Sequence, residues 1–159
     1  MIELERYIND LSTLVHLQLE DTCSIAPSLF SQLLTIAPRL TRLTISSSQN
    51  HLYKMIHLNY PQIRWLDMRR EYLSSNIRTK FCSAFPCLEH LINCHVHSEE
   101  DLEVLIESLK YLQNITIHIR SYYFDDNNEF DQWLRKHSHL KNFAFKLLNE
   151  RQIQLWISN

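Results

Sequence analysis

The sequence predicts an α/β fold in which short parallel strands form a curved sheet and helices cover its convex side. The first observation is an apolar motif, stepped by three residues and then by two, that occurs six times. The second is the spacing, since successive copies begin 23 to 28 residues apart. The third is a proline two residues ahead of three copies, which ends a preceding helix. Such regularity is typical of a repeat protein.

The six motifs define the predicted strands. We expect strands near 14–20, 40–46, 63–69, 88–94, 112–118 and 140–146, all within a single domain that spans 1–159. The motif side chains are expected to point into the core, because alternate residues of a strand face opposite sides. These residues are Leu14, Leu17 and Leu19; Leu40, Leu43 and Ile45; Ile63, Leu66 and Met68; Leu88, Leu91 and Asn93; Leu112, Ile115 and Ile117; Leu140, Phe143 and Phe145. The closing QIQLWIS alternates like a last strand.

Helical patterns fill the intervals between the motifs. In PSLFSQLLTIAP, a proline suited to the first turn precedes an apolar stripe made of Leu29, Phe30, Leu33, Leu34 and Ile36. In SEEDLEVLIESLKYL, Ser98 is the expected N-cap, followed by three acidic residues that favour the positive end of the helix dipole. In DDNNEFDQWLRKH, a capping box of Asp126 and Glu129 precedes a buried face of Phe130, Trp133 and Leu134.

The composition excludes several classes of protein. A formal net charge of −2 gives no general attraction to nucleic acid or to an anionic membrane. No apolar run approaches the length of a membrane span. The chain contains no glycine, so phosphate-binding Walker and Rossmann loops are absent. The start of the chain lacks the pattern of a signal peptide, and we therefore expect a cytoplasmic or nuclear protein with reduced cysteines. We also expect no cofactor.

The repeated motif resembles the leucine-rich repeat family, whose unit reads L-x-x-L-x-L followed by asparagine or cysteine. The resemblance covers nearly the whole chain. The APRL, YPQI and FPCL segments and the unit length are most similar to the irregular repeats of F-box proteins and of the ribonuclease-inhibitor-like group. One departure is that Thr22, Ser48, Glu71, Val96 and Arg120 replace the expected asparagine or cysteine. We therefore expect an irregular solenoid of about six repeats.

The resemblance implies a module that binds a partner protein, with recruitment of substrates to a ubiquitin ligase as one role. Only MIELERYINDLS precedes the first repeat, so an F-box segment either lies outside this chain or is not used. A solenoid needs caps that shield its terminal repeats. We therefore expect the edge of the first strand to belong to a larger protein, or to dock on a partner or on a second copy of the chain.

The candidate binding residues lie between the motif leucines, on the outward side of the strands. Tryptophan and arginine are the residue types most enriched among the energetic anchors of interfaces. An outward sheet position also gives Trp65 no structural reason to be tryptophan. The predicted partner-binding residues are Arg42, Trp65, Asp67, Arg69, His90, Ile92 and His118. The alternative interpretation is that Trp65 only covers irregular strand packing.

A cluster of cysteines and histidines gives an alternative, a metal-dependent or thiol enzyme centred on 82–97. It contains Cys82, Cys87, His90, Cys94, His95 and His97, and both residue types are preferred zinc ligands. The spacing fits none of the compact zinc motifs, and Cys94 is expected to face outward beside His90. We therefore predict no metal site there.

The sequence predicts neither a calcium site nor a catalytic site. FDDNNEFD alternates acidic and amide side chains as a calcium loop does, but Phe130 occupies the position where such a loop needs glycine. No nucleophile elbow and no H-E-x-x-H motif occurs. The sequence therefore predicts no catalytic residues, and the chain is not expected to be an enzyme.

Overall fold

The computed structural model describes residues 11–20, 26–46, 50–69, 72–120, 127–137, 140, 142–149 and 151–158. The strands are β1 (His16–Glu20), β2 (Arg42–Ser46), β3 (Trp65–Asp67), β4 (His90–Val96), β5 (Asn114–Ile119), β6 (Asn142–Asn149) and β7 (Gln152–Ser158). The helices are α1 (Pro27–Ile36), α2 (Asn50–Met55), α3 (Arg78–Ala84), α4 (Glu99–Ser108) and α5 (Asn127–His137). The fold is therefore α/β, and each of the six predicted segments contains a strand.

Strands β1 to β5 lie side by side in chain order, and every neighbouring pair is parallel. The central motif residues align across the sheet as the repeat predicts. The aligned residues are Leu17, Leu43, Leu66, Leu91 and Ile115. Each of these strands therefore presents the same side-chain alternation at the same height, with the apolar residues on one face.

The same turn comes before each of these strands. It is closed by a bond of 3.0 to 3.3 Å from the N–H of an apolar residue to the carbonyl three residues earlier. The five pairs are Leu14 with Leu11, Leu40 with Ala37, Ile63 with Tyr60, Leu88 with Phe85, and Leu112 with Leu109. Pro38, Pro61 and Pro86 occupy the second turn position, which proline favours because its φ is already fixed. The prolines seen in the sequence therefore start the strands as well as ending the helices.

One carbonyl in each repeat then sets the register of the next strand. The carbonyls of Val15, Thr41, Arg64 and Glu89 each accept two N–H groups from the following repeat, at 2.8 to 3.1 Å. The donors are Thr41 and Arg42, Arg64 and Trp65, Glu89 and His90, and Gln113 and Asn114. Because the acceptor occupies the same motif position each time, every new strand starts at the same height as the last.

The far end of the sheet differs from the prediction. Strand β7 lies between β5 and β6 and runs antiparallel to both, so the seven-stranded sheet is mixed. The carbonyl of Gln113, which corresponds to Glu89 one repeat earlier, accepts the N–H of Ile157 from β7 at 2.8 Å. Because β7 occupies the place beside β5, the sixth motif strand pairs with β7 at the edge of the sheet. The prediction of a wholly parallel sheet is wrong for these last two strands.

A bulge in β4 corrects a second prediction. Asn93 has a φ of 54°, and the pairing of β4 with β5 shifts register between Leu91 and Cys94. One extra residue reverses the alternation beyond it, so Cys94 lies in the core and His95 faces outward. Asn93 does not fill the apolar motif position, and the expected outward orientation of Cys94 is wrong. In a chain without glycine, asparagine is the residue that best tolerates this conformation.

The helices pack on the face of the sheet that carries the motif side chains. Phe30 and Leu34 of α1, Phe81 of α3, and Phe130 and Leu134 of α5 join the inward strand residues in one hydrophobic cluster. The stripe predicted for α1 is narrower than expected, because Leu29 and Ile36 are exposed. Within the described residues, no helix is long and apolar enough to cross a bilayer.

A buried carboxylate joins two consecutive helices. Asp101 of α4 lies 2.6 Å from the guanidinium of Arg78 on α3, and both side chains are largely shielded from water. The other carboxylate oxygen accepts the backbone N–H groups of His97 and of the N-cap residue Ser98, at 2.8 and 3.3 Å. Each charge therefore has partners, which buried charges require. The predicted N-cap at Ser98 is confirmed.

The bulge predicts an inverted preference at residue 93. In an ordinary strand, glycine is less stable than alanine by roughly 0.5–1 kcal/mol. At a positive φ, alanine costs about 1–2 kcal/mol. We therefore expect Asn93→Gly to be more stable than Asn93→Ala by about 1 kcal/mol, measured by urea unfolding. Lys146, which is exposed in β6, is the control site, where the glycine variant should be less stable than the alanine variant. Equal or inverted stabilities at residue 93 would contradict the bulge.

Candidate functional site

The face of the sheet opposite the helices, called the open face below, carries the predicted binding residues. Its side chains lie in rows, because strand partners stand at the same height. One row lies at the starts of the parallel strands β1 to β5 and continues across β7 and β6; it is called the central row below. It contains His16, Arg42, Trp65, His90, Asn114, Trp156 and Ala144. The next row contains Gln18, Thr44, Asp67 and Ile92, and continues with Thr116, Gln154 and Lys146 beyond the β4 bulge.

Trp65 is held in the central row by contacts on one side. The guanidinium carbon of Arg42 lies 4.7 Å from the centre of the Trp65 ring. The His16 ring packs edge-on against Trp65, with centroids 6.1 Å apart, and its Nε2 atom hydrogen-bonds to Thr44 Oγ1 at 2.9 Å. A cation over the indole face contributes about 0.5–1 kcal/mol at an exposed site. These contacts therefore favour one orientation of the indole in the absence of a partner.

Asp67 lies beneath the surface of the open face, with only 3% of its area exposed. One carboxylate oxygen accepts a bond from Arg69 Nε at 2.9 Å, and the other accepts the Asn93 side-chain amide at 2.9 Å. The bulge that turns Asn93 outward is what brings this amide to Asp67. Asp67 therefore positions the exposed guanidinium of Arg69 just past the end of β3, next to the second row.

Trp156 is the open-face residue that the sequence did not identify as a binding residue. It stands opposite Asn114 on one side and Ala144 on the other, and 38% of its area is exposed. The alternation of QIQLWIS predicts that Trp156 points to the side of the strand opposite Leu155 and Ile157. Its place in the central row could not be predicted, because that place depends on β7 lying next to β5.

A pocket of about 200 Å³ lies at the carboxyl ends of β4 and β5, beyond the two rows in the direction of these strands. The rings of His95 and His118 stack with their centroids 4.4 Å apart and their planes within 7°. Tyr72 packs on the other side of His95, with centroids 5.0 Å apart. The pocket is lined by Tyr72, His95, His118, Ile119, Arg120 and Arg151.

Burial changes the acid–base behaviour of the stacked histidines. Desolvation lowers the pKa of His95 below its ordinary value of 6.5, and the nearby His118 lowers it further. Desolvation also lowers the pKa of His118. Neutral rings can stack face to face without the repulsion that two imidazolium ions would have. The pair is therefore mostly uncharged at neutral pH.

The structure gathers the predicted binding residues on one face. Arg42, Trp65 and His90 share the central row, and Asp67 and Ile92 are neighbours one row above. Arg69 lies just past β3 and contacts Asp67. His118 stands apart, next to the pocket. Sequence reasoning missed His95, because it placed Cys94 and not His95 on the outward side.

The cysteine and histidine cluster is divided between the two faces. Cys82 and Cys94 are buried on the core side, whereas His90 and His95 lie on the open face. Burial raises the pKa of Cys82 to about 11, and burial also raises the pKa of Cys94. Both thiols are therefore protonated at neutral pH, which opposes nucleophilic chemistry. Among the residues described, no three potential ligands of the His, Cys, Asp and Glu types come together.

The acidic segment weighed as a calcium loop lies partly outside the described residues. Residues 121–126 are not described, so the predicted capping role of Asp126 cannot be placed. Within α5, Asp131 accepts two bonds from Arg135 at 2.7 and 3.2 Å. Phe130 is buried, as the helical interpretation of this segment predicts.

The histidine pair predicts a pH dependence of stability. Since the folded pKa values lie below 6.5, the unfolded chain binds more protons just under that pH. The free energy of unfolding should therefore fall as the pH drops through 6.5, until the folded pKa values are reached. In His95→Gln/His118→Gln this part of the slope should flatten. Urea unfolding between pH 7.5 and 5.5, bracketing the ordinary value by about one unit, measures both. An unchanged slope in the double variant would contradict the assignment.

No protein-family model matches the chain, and no curated protein matches its sequence. The case for a function therefore depends on the residues of the open face and on their geometry.

Proposed function

We propose that the chain is a leucine-rich-repeat solenoid that binds a partner protein on the open face of its sheet. Three features support the repeat assignment. The strands β1 to β5 follow one another in parallel, the same turn precedes each of them, and their motif leucines align. Stacked units that bury their apolar faces only against neighbours are what a solenoid requires. The antiparallel β6 and β7 pair then ends the stack.

The single observation that carries the binding proposal is the pair of tryptophans in the central row. Trp65 and Trp156 lie on the same side of the sheet, separated by β4 and β5. Neighbouring strands are about 4.8 Å apart, so the two tryptophans are about 14 Å apart across the sheet. Aromatic side chains combine a large apolar area with few rotatable bonds, which makes them effective anchors.

The polar groups around the tryptophans favour a protein partner. Arg42 and Arg69 are exposed, while Asp67 is buried and already bonded. Protein interfaces typically combine aromatic anchors with arginine and a polar rim. The chain as a whole also lacks the strong positive charge that is typical of nucleic-acid-binding domains, since its net charge is −2.

The resemblance to F-box repeat proteins extends the proposal to a pathway. The captured partner would then be a substrate that is brought to a ubiquitin ligase. The open face supplies recognition, and no residue of this chain need take part in chemistry. The extension has its own test, since partners that depend on the open face should accumulate when the chain is depleted from cells.

The proposal predicts that binding depends on the two tryptophans together. Wild-type chain and the variant Trp65→Ala/Trp156→Ala are used as baits in cell lysate, and captured proteins are quantified by mass spectrometry. We expect at least one protein to be lost by roughly tenfold or more from the double variant, as the removal of two anchors implies. Circular dichroism checks that the variant remains folded.

Tyr111→Ala is the matched control, because Tyr111 is the most exposed aromatic residue in the described part of the chain and lies in the turn before β5, outside the open face. A specific partner should bind this variant as it binds the wild type. If every captured protein binds the folded double variant as well as the wild type, the open face is not a binding surface and the proposal fails.

A further inference from the structure

The pocket beyond the open face owes its existence to the change of strand direction. Parallel strands β4 and β5 both finish at this edge, whereas β7 starts here because it runs the opposite way. The carbonyl of Arg151, in the turn before β7, accepts the N–H of Ile119 at 2.9 Å.

The polar side chains that line the pocket are cations or hydrogen-bond donors. Arg120 directly follows β5 and Arg151 directly precedes β7. Both arginines are exposed, and both line the pocket. Among the described residues, no carboxylate lines the pocket, and none of the ion pairs between them involves Arg120 or Arg151. Tyr72, His95 and His118 add a phenol and two imidazoles that can donate hydrogen bonds. The pocket therefore favours an anion.

The number of donors favours a phosphoryl group over a carboxylate. A carboxylate has two oxygens and one charge, which one bidentate arginine can satisfy. A phosphate monoester carries three acceptor oxygens and a charge between about −1.5 and −2 at pH 7. Two guanidinium groups, with a phenol and two imidazoles beside them, match the greater charge and the larger number of acceptor oxygens of a phosphate. A volume of about 200 Å³ holds such a group on a short stem.

We infer that this pocket binds the phosphoryl group of a phosphoserine or phosphothreonine on the partner protein. The inference rests on the proposed function, because the pocket continues the open face. His118 lies four residues along β5 from Asn114 of the central row, which corresponds to about 13 Å. About four extended residues of a peptide would connect a side chain at the tryptophans with a phosphate in the pocket.

Peptide libraries test the inference without knowledge of the partner. One immobilised library has a fixed phosphoserine or phosphothreonine between degenerate flanks. The comparison libraries carry serine or threonine, glutamate, or phosphotyrosine at the fixed position. Retention of the full chain should be at least about tenfold greater on the first library, since charge-assisted bonds to two arginines are lost on the others. Free O-phosphoserine should compete with the library.

Variants locate the binding to the pocket. Arg151→Gln should lower retention on the phosphorylated library by about tenfold or more, and Arg120→Gln/Arg151→Gln should abolish the preference. Arg39→Gln is the matched control, because it removes the same charge at an exposed turn that precedes β2, at the end of the sheet where the parallel strands start. It should bind like the wild type, and each variant is checked by circular dichroism.

Several results would overturn the inference. They are equal retention on all libraries, a preference for glutamate or phosphotyrosine, a preference that survives in the folded double arginine variant, and binding of inorganic phosphate with no retention on any library. The last result would indicate a site for free phosphate alone.

Phosphatase treatment of the lysate separates this inference from the proposed function. Partners that depend on Trp65 and Trp156 should be lost from treated lysate if the inference holds. If they are still captured and are insensitive to Arg151→Gln, the open face binds a protein while the phosphate inference fails. If no partner depends on the tryptophans, the proposed function fails, and the libraries still report on the pocket.

Discussion

The structure depends on one backbone acceptor in each repeat. The carbonyls of Val15, Thr41, Arg64 and Glu89 each hold two N–H groups of the next strand, and this fixes the height at which that strand starts. A slip of one residue would turn every motif side chain to the other face of the sheet. The core and the open face are therefore consequences of the same constraint. At Gln113 the acceptor is taken by Ile157, and the parallel run ends there.

The two departures from regular repeats create the most distinctive parts of the surface. The bulge at Asn93 buries Cys94, turns His95 outward and supplies the amide that holds Asp67. The antiparallel β7 places Trp156 in the central row and Arg151 at the pocket. A sheet of parallel strands without these two departures would have had neither a second tryptophan in the central row nor the pocket. Local exceptions in a rigid frame are thus where recognition is expected.

The sequence predicted the part of the fold that repeats. Five strands, their register and the row containing Arg42, Trp65 and His90 followed from the periodic leucines, because burial permits only one alignment. Other features depended on events that a period does not encode. Ile157 donates to a carbonyl more than forty residues away in the chain, and a positive φ at Asn93 reverses the alternation. Trp156 and His95 were missed for these two reasons.

Backbone nuclear Overhauser effects at the end of the parallel run test the central claim most directly. If Gln113 accepts Ile157 as described, Asn114 should show strong contacts with its antiparallel partner Trp156 and weaker, parallel-type contacts with His90. Contacts between Asn114 and Asn142 would contradict the account, because they would place the sixth motif strand beside the fifth and remove Trp156 from the central row.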